Sequence, residues 1–159
     1  MRFDDFQNGT LHINKTMQRV QCLGEDTKTK VIITQPKTHS SDRIIPLPEF
    51  INSIIKDMYI SDAFLLTGTN KYTEPRTFEN RFKALLKQCG LPETNVHACR
   101  HTFATICVET GCEIKALSEI LGHSSVNITL NRYVHPTIAV KRKVIESISF
   151  LAKNATSNN

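Results

Sequence analysis

The sequence predicts an α+β domain that is mostly helical: a small antiparallel sheet with a hairpin, followed by a helical bundle. Short β-branched runs lie within residues 10–46, and amphipathic helical spacing follows over residues 48–151. Glycine or proline stands at the ends of the helical segments. A chain of 159 residues suits one domain with a buried core. We assign residues 1–153 to that domain and the polar residues 154–159 to a disordered tail.

The predicted sheet is built from three apolar stretches. The turn signal Asn8-Gly9 precedes a stretch from Leu11 to Val20, and the run VIIT and the pair Ile44-Ile45 come later. The polar segment QPKTHSSD separates the last two stretches. This pattern predicts a hairpin with its tip near residues 36–42.

Six helices are predicted in the remainder of the chain. Apolar residues recur at helical spacing in each of them. They begin near Pro48, Phe78, His97, Glu113, Ser124 or Ser125, and Thr137. Gly90, Gly111 and Gly122 are predicted helix stops.

Bulk composition excludes some classes of protein and leaves others open. The net charge of +5 and the pI of about 9.0 permit a polyanionic partner without requiring one. No apolar run approaches the roughly 20 residues that cross a bilayer, and residues 1–10 lack the apolar region of a signal peptide. The five cysteines form no C-x-x-C pair, which favours a reduced, cytoplasmic protein.

Four side chains between residues 97 and 133 could form a phosphate site. His97 and Arg100 lie three residues apart on one predicted helix face, and a guanidinium can donate two hydrogen bonds to phosphate oxygens. His123 follows the helix stop at Gly122, and Tyr133 could attack a bound phosphate. Taken singly, these residues also fit ordinary surface, loop and packing positions.

The combination resembles the C-terminal signature of the tyrosine recombinase (phage integrase) family. That signature reads H-x-x-R-H, then L-G-H, then a tyrosine nine or ten residues further on. HACRHTFAT, ILGHSS and ITLNRYVH supply the three elements in order. The resemblance extends from about residue 2 to about residue 150, so it implies that residues 1–153 are part of a recombinase catalytic domain.

The resemblance implies site-specific DNA recombination or integration through a covalent 3′-phosphotyrosyl intermediate. Tyr133 would be the nucleophile, and Arg100 and His123 would bind the phosphate. His97 would assist proton transfer, and Lys37 of QPKTHSSD would protonate the departing 5′-oxygen. No metal, ATP or other cofactor and no small-molecule substrate is implied.

The sequence departs from the family pattern in two places, and the first of them limits that expectation. The first catalytic arginine of the family, in a G-x-R-x-x-E-like helix, has no counterpart, since MRFDDF resembles the stretch after that helix and Arg2 is no substitute. Cys99 stands where the family usually has leucine, a packing swap that should matter little. Because the first arginine is missing, we expect the chain alone to cleave DNA poorly or not at all. The alternative is a non-catalytic DNA-binding remnant, or a trimmed piece of an integrase.

Basic and apolar residues outside the site predict partners. Lys71, Arg76 and Arg81 lie on or beside the second helix, together with Lys83 and Lys87, and fit either DNA phosphate contacts or a solvated face. The last helix carries basic residues 141–143 and an apolar stripe, Val144, Ile145, Ile148 and Leu151. The stripe fits docking on a second copy bound to DNA, or packing within the domain. A zinc site at His97 and His101 is disfavoured, because Arg100 would repel the cation.

Overall fold

The structure, a computed structural model, describes residues 1–22 and 29–156, with side chains up to Ile148. The strands are β1 (Phe6–Gln7), β2 (Thr10–Ile13), β3 (Thr16–Gln21), β4 (Thr29–Thr34) and β5 (Arg43–Pro46). The helices are α1 (Glu49–Asp57), α2 (Pro75–Gln88), α3 (His97–Glu109), α4 (Ile114–Leu121), α5 (Val126–Tyr133) and α6 (Ile138–Thr156). This order confirms the predicted fold class, a small antiparallel sheet region followed by a mostly helical region.

The strands form two antiparallel sheets. One has the order β1-β2-β5, and the other pairs β3 with β4. Leu11 of β2 lies opposite Ile45 of β5 and is buried, so this face of the sheet turns inward. The pairing therefore joins β2 to β5, which lies some thirty residues later in the sequence. The strand β5 in turn contacts α4.

The predicted hairpin tip near residues 36–42 is wrong. The strand β4 pairs with β3, whereas β5 pairs with β2, so the segment between β4 and β5 connects two sheets. It contains a short 3-10 turn, His39–Ser41, and His12 of β2 holds its end through a contact of 2.8 Å with Asp42. The predicted stretch from Leu11 to Val20 is likewise two strands, one in each sheet.

The helices begin and end close to their predicted positions. Gly90, Gly111 and Gly122 all have positive φ directly after a helical segment, a conformation that glycine adopts without a steric cost. The helix α6 continues to Thr156 and so includes residues 154–156, which the polar composition of residues 154–159 had assigned to a tail. Residues 157–159 lie outside the described part of the chain.

The buried residues that matter for the site lie between α3, α4 and α5. Ala104, Leu117 and Leu121 are almost fully buried, and Tyr133 packs against this cluster. Apolar side chains of α1 and α6, by contrast, are exposed, among them Phe50, Ile54, Ile138, Ile145 and Ile148. The core thus fixes the three helices that carry most of the predicted site residues. No helix in the described ranges is long and apolar enough to span a membrane.

Candidate active site

The turn between α4 and α5 displays His123. The N–H of Gly122 donates to the carbonyl of Glu119, and the N–H of His123 donates to the carbonyl of Ser118, each at 3.0 Å. These two bonds form a Schellman motif, which needs the left-handed conformation that Gly122 adopts at φ 71°. The Schellman motif at Leu121-Gly122-His123 therefore both ends α4 and fixes the backbone of His123.

Two arginines hold this turn through main-chain carbonyls. The Nη2 atom of Arg100, on α3, donates to the carbonyl of Leu121 at 2.6 Å. The Nε atom of Arg43, on β5, donates to the carbonyl of Ile120 at 2.8 Å. Both carbonyls belong to the last turn of α4, where helix carbonyls lack partners within the helix. The sheet and α3 are thereby tied to the turn that carries His123.

A buried hydroxyl contacts the ring of His123. The Nδ1 atom of His123 lies 2.8 Å from Oγ1 of Thr129, on the first half of α5. Thr129 is fully buried, whereas His123 is half-buried. The contact therefore fixes one nitrogen of the imidazole and leaves Nε2 as the other polar atom of the ring.

Tyr133, at the end of α5, lies between two histidines. Its hydroxyl oxygen is 2.9 Å from Nδ1 of His101 on α3. Its ring is parallel to the ring of His123, with an interplanar angle of 4° and a centroid separation of 6.5 Å. The phenol is thus hydrogen-bonded to one imidazole and faces the other.

The electrostatic surroundings are positive. Burial lowers the pKa of His123, and the charges of Arg100, Arg132 and Arg43 lower it further. Burial and the nearby charge of Arg100 lower the pKa of Arg43 as well. Among the described residues, no carboxylate is recorded in an ion pair with these arginines, and cations gathered in this way favour an anion.

The structure brings together three of the five predicted catalytic residues. Arg100, His123 and Tyr133 meet around the α4–α5 turn. His97 lies exposed on the first turn of α3, and Lys37 lies exposed in the connection between β4 and β5. Within the described residues, no hydrogen bond or ring contact joins His97 or Lys37 to the other three, so their roles remain predictions.

The sequence pattern assigns no role to three residues of the site, His101, Arg43 and Thr129. His101 is visible as the last residue of the H-x-x-R-H motif, and its helical position four residues after His97 could have suggested a shared task. Arg43 contacts a carbonyl 77 residues away in sequence, and Thr129 lies within a helix. No local pattern marks either of these two.

Histidine, cysteine and acidic side chains do not form a metal-binding group in the part of the chain that the structure describes. Across the residues that the structure describes, no three histidine, cysteine, aspartate or glutamate side chains converge on a position that could hold a metal ion. Cys22, Cys89, Cys99, Cys107 and Cys112 are free thiols. The zinc alternative at His97 and His101 gains nothing, because His101 contacts Tyr133 instead.

A tyrosine hydroxyl set among histidine and arginine side chains, on helices beside a small sheet, defines a candidate phosphoryl-transfer site. Comparison with known proteins agrees with that class. Residues 6–139 match the phage integrase family, and the chain belongs to this family of tyrosine recombinases.

The relatives of this chain include a bacterial tyrosine recombinase and a transposase encoded by a transposon. The chain is 28% identical over 167 residues to a XerC-like tyrosine recombinase of Caldanaerobacter subterraneus subsp. tengcongensis, covering 92% of this chain and 43% of that protein. It is 30% identical over 153 residues to the transposase of transposon Tn916 from Enterococcus faecalis, covering 84% of this chain and 36% of that protein. The chain thus spans less than half the length of these two relatives.

Solved structures share the fold. The integrase of transposon Tn1549 bound to circular intermediate DNA superposes with a TM-score of 0.70 at 26% identity, over 93% of this chain and 53% of that one. The XerA recombinase superposes with a TM-score of 0.54 at 22% identity, over 92% of this chain and 50% of that one. The similarity to XerA concerns the fold alone.

Proposed function

We propose that this chain is the part of a site-specific DNA recombinase that cleaves and rejoins DNA strands, with Tyr133 as the nucleophile. The observation that carries the proposal is the position of the Tyr133 hydroxyl, hydrogen-bonded to His101 and facing His123 in a cluster of arginines. The Tn1549 integrase, which has a similar fold, is seen bound to DNA. Double-stranded DNA is therefore the proposed substrate.

In the proposed reaction the phenol oxygen of Tyr133 attacks a backbone phosphorus. A phosphorus–oxygen bond to Tyr133 forms, the bond to the 5′-oxygen breaks, and a 3′-phosphotyrosyl link and a free 5′-hydroxyl result. Attack by a different 5′-hydroxyl reverses these bond changes and joins a new pair of strands. The number of phosphodiester-type bonds is unchanged, so no ATP is needed, and cationic side chains are proposed to stabilise the charge without a metal.

Arg100 and His123 are proposed to stabilise the charge on the phosphoryl oxygens. The guanidinium of Arg100 has five N–H donors, of which one is engaged with Leu121, so others can reach an anion. Donors placed in advance around a developing charge act without reorganisation, and the loss of one typically costs about 10²–10³ in rate. The hydrogen bond from Arg100 to the carbonyl of Leu121 limits the motion of the guanidinium, so its remaining donors are already in place for the phosphate.

Proton transfer is proposed to involve two further groups. An imidazole that accepts the hydrogen bond of Tyr133 can receive the phenol proton, and His101 has that position. His97 is kept as a proposed assistant, one helical turn earlier on α3. Lys37 is proposed to donate a proton to the departing 5′-oxygen, a task that an exposed ammonium in a loop can perform once DNA is bound.

The proposed DNA surface includes α2. Arg76 and Arg81 on this helix, and Lys71 before it, are exposed. The ammonium of Lys83, by contrast, is 2.5 Å from a carboxylate oxygen of Glu93. We propose Lys71, Arg76 and Arg81 as phosphate contacts and regard Lys83 as part of a surface ion pair.

We propose self-association on DNA through α6. Its side chains Ile138, Val140, Val144, Ile145 and Ile148 are each more than half exposed. A groove of about 600 Å³ lies beside its start, lined by Val108, Ile114 and Val134 among others. An apolar helix face next to an apolar groove of the same chain suits exchange between two copies. Variant Ile145→Glu should then lower the oligomer size on DNA, measured by light scattering.

The isolated chain is proposed to be a slow enzyme that works in the cytoplasm, where its free thiols fit a reducing compartment. These 159 residues contain no G-x-R-x-x-E segment, and Arg43 is engaged with main-chain carbonyls. One guanidinium fewer at the phosphate would reduce the cleavage rate by about 10²–10³.

The test uses a pool of nicked DNA duplexes with a randomised segment, in which the strand piece released by cleavage diffuses away. Wild-type protein should accumulate a covalent protein–DNA adduct that survives denaturing electrophoresis, and Tyr133→Phe should form none. An adduct that persists in Tyr133→Phe would refute the proposed nucleophile. DNA binding without any adduct in the wild type would support the alternative, a non-catalytic DNA-binding module.

A further inference from the structure

The buried hydroxyl of Thr129 has an unusual partner for a helical threonine. Threonine in a helix commonly donates to a main-chain carbonyl three or four residues earlier. Among the described residues, the hydrogen bond of Thr129 Oγ1 is instead with Nδ1 of His123, at 2.8 Å. Thr129 is fully buried, so water cannot replace that bond.

The burial of Thr129 decides which way this hydrogen bond runs. If Nδ1 of His123 carried the proton and donated it, the hydroxyl hydrogen of Thr129 would be buried without an acceptor. A buried donor left without a partner costs about 1–3 kcal/mol. The hydroxyl therefore donates, and Nδ1 of neutral His123 accepts.

This direction fixes the chemistry of the opposite ring nitrogen. A neutral imidazole has one N–H, and a proton excluded from Nδ1 is on Nε2. An N–H at Nε2 can donate to a phosphate oxygen, whereas a bare nitrogen there would repel it. Arg100, Arg132 and Arg43, which act on the same imidazole, are cations and cannot accept that hydrogen bond.

We infer that Thr129 is a positioning residue for His123: its hydroxyl holds the imidazole with the proton on Nε2, directed to the phosphate that Tyr133 attacks. The inference rests on the proposed function, because the phosphate contact of His123 belongs to it. In this role the hydroxyl of Thr129 acts through the histidine alone.

The test compares two substitutions of similar size. Thr129→Val keeps the branched shape and removes the hydroxyl, whereas Thr129→Ser keeps the hydroxyl and removes a methyl group. Loss of a single neutral hydrogen bond corresponds to roughly a five- to tenfold lower rate. With the nicked duplex pool, Thr129→Val should form the Tyr133 adduct about tenfold more slowly, and Thr129→Ser should stay within about twofold of wild type. The DNA dissociation constant should be unchanged in both.

A double-mutant comparison separates positioning from general destabilisation. In a His123→Ala background, Thr129→Val should cause no further loss of rate, because the group that it positions is gone. An equal loss in both backgrounds would overturn the inference, and so would a wild-type rate for Thr129→Val.

Nitrogen-15 NMR of the imidazole gives a readout that needs neither activity nor a folded variant. At a pH above the pKa of His123, wild-type Nδ1 should be the bare nitrogen and Nε2 the protonated one. A proton on Nδ1 would overturn the inference whatever the cleavage assay gives. If the wild type forms no adduct while NMR finds the expected tautomer, the proposed function fails and the hydrogen-bond assignment stands.

Discussion

The Nδ1 atom of His101 lies 2.9 Å from the hydroxyl oxygen of Tyr133, and the two residues are 32 positions apart in sequence. The last turn of α5 and the first half of α3 meet at this contact. The tyrosine is therefore held by a group that can also take its proton. The second histidine of H-x-x-R-H, and not the first, therefore contacts the phenol.

Substitution of His101 should slow cleavage more than substitution of His97. His101→Gln removes the imidazole that contacts the phenol, and general base catalysis contributes about 10²–10⁴ in rate. We expect His101→Gln to lower the rate of adduct formation by at least about 10²-fold. His97→Gln, one turn earlier on the same helix and without a recorded contact to Tyr133, is the matched control and should cost less. A larger loss of rate for His97→Gln than for His101→Gln would indicate that His97, and not His101, is the main proton acceptor.

Gly122→Ala should destabilise the fold more than Gly111→Ala. Both glycines have positive φ, so each alanine carries the left-handed backbone cost of about 1–2 kcal/mol. A Cβ at Gly122 would also lie 2.7 Å from Nη1 of Arg43, whereas a Cβ at Gly111 would meet nothing within 4 Å. Arg43 would have to move and give up its hydrogen bond to Ile120, a further cost of about 1 kcal/mol. Urea unfolding of both variants measures the difference.

The excess cost of Gly122→Ala should depend on Arg43. In an Arg43→Ala background the guanidinium is absent, and the gap between the two glycine variants should shrink. A gap that keeps its full size would show that the collision with Arg43 does not cause it.

The stability of the protein should fall as the pH drops below about 6.5, the ordinary pKa of histidine. Burial and the neighbouring arginines lower the pKa of His123 in the folded state. Between the folded and the unfolded pKa, the unfolded chain binds more protons at this residue, so stability rises with pH across that window. The contribution is complete above the unfolded pKa and is lost as the pH falls toward the folded one.

The variant His123→Asn should show a weaker pH dependence in the same window. Unfolding free energies at several values between about pH 5 and 7.5 measure the slope. An unchanged slope in His123→Asn would mean that other histidines cause the dependence.

Binding to DNA should become less dependent on salt when the exposed arginines of α2 are replaced. Removal of one side chain that neutralises a phosphate reduces the steepness of log K against log salt by about 0.9. We expect this change for Arg76→Gln and for Arg81→Gln, and a smaller one for Lys83→Gln, whose ammonium is already paired with Glu93. Equal slopes for all three variants and the wild type would show that α2 does not contact DNA phosphates.

The helical part of the fold follows from local signals in the sequence. Gly122 ends α4 because its φ of 71° suits the Schellman motif, and Ser125 caps α5 by accepting from the N–H of Asn127. Both signals act within a few residues, so the spacing of apolar side chains and the helix stops suffice to place these helices. The motif residues Arg100, His123 and Tyr133 then converge because the core packs these helices together.

The strand pairing and the supporting contacts do not follow from local signals. The polar segment QPKTHSSD has the composition of a hairpin turn, yet β5 pairs with β2 and β4 with β3. Register between distant strands depends on the whole sheet and not on the turn alone. Arg43 and Thr129 escape prediction for the same reason, since each is defined by a partner brought close only by the fold.

The most direct test of the account is to identify the amino acid that becomes linked to DNA. Trypsin cleaves after Arg132 and Lys141, so Tyr133 lies in the peptide YVHPTIAVK, while Tyr59 and Tyr72 lie in other peptides. Mass spectrometry of the nuclease-trimmed, trypsin-digested adduct should find the nucleotide on that peptide, at its first residue. A nucleotide on any other peptide, or no adduct from wild-type protein under conditions where it binds DNA, would contradict the account.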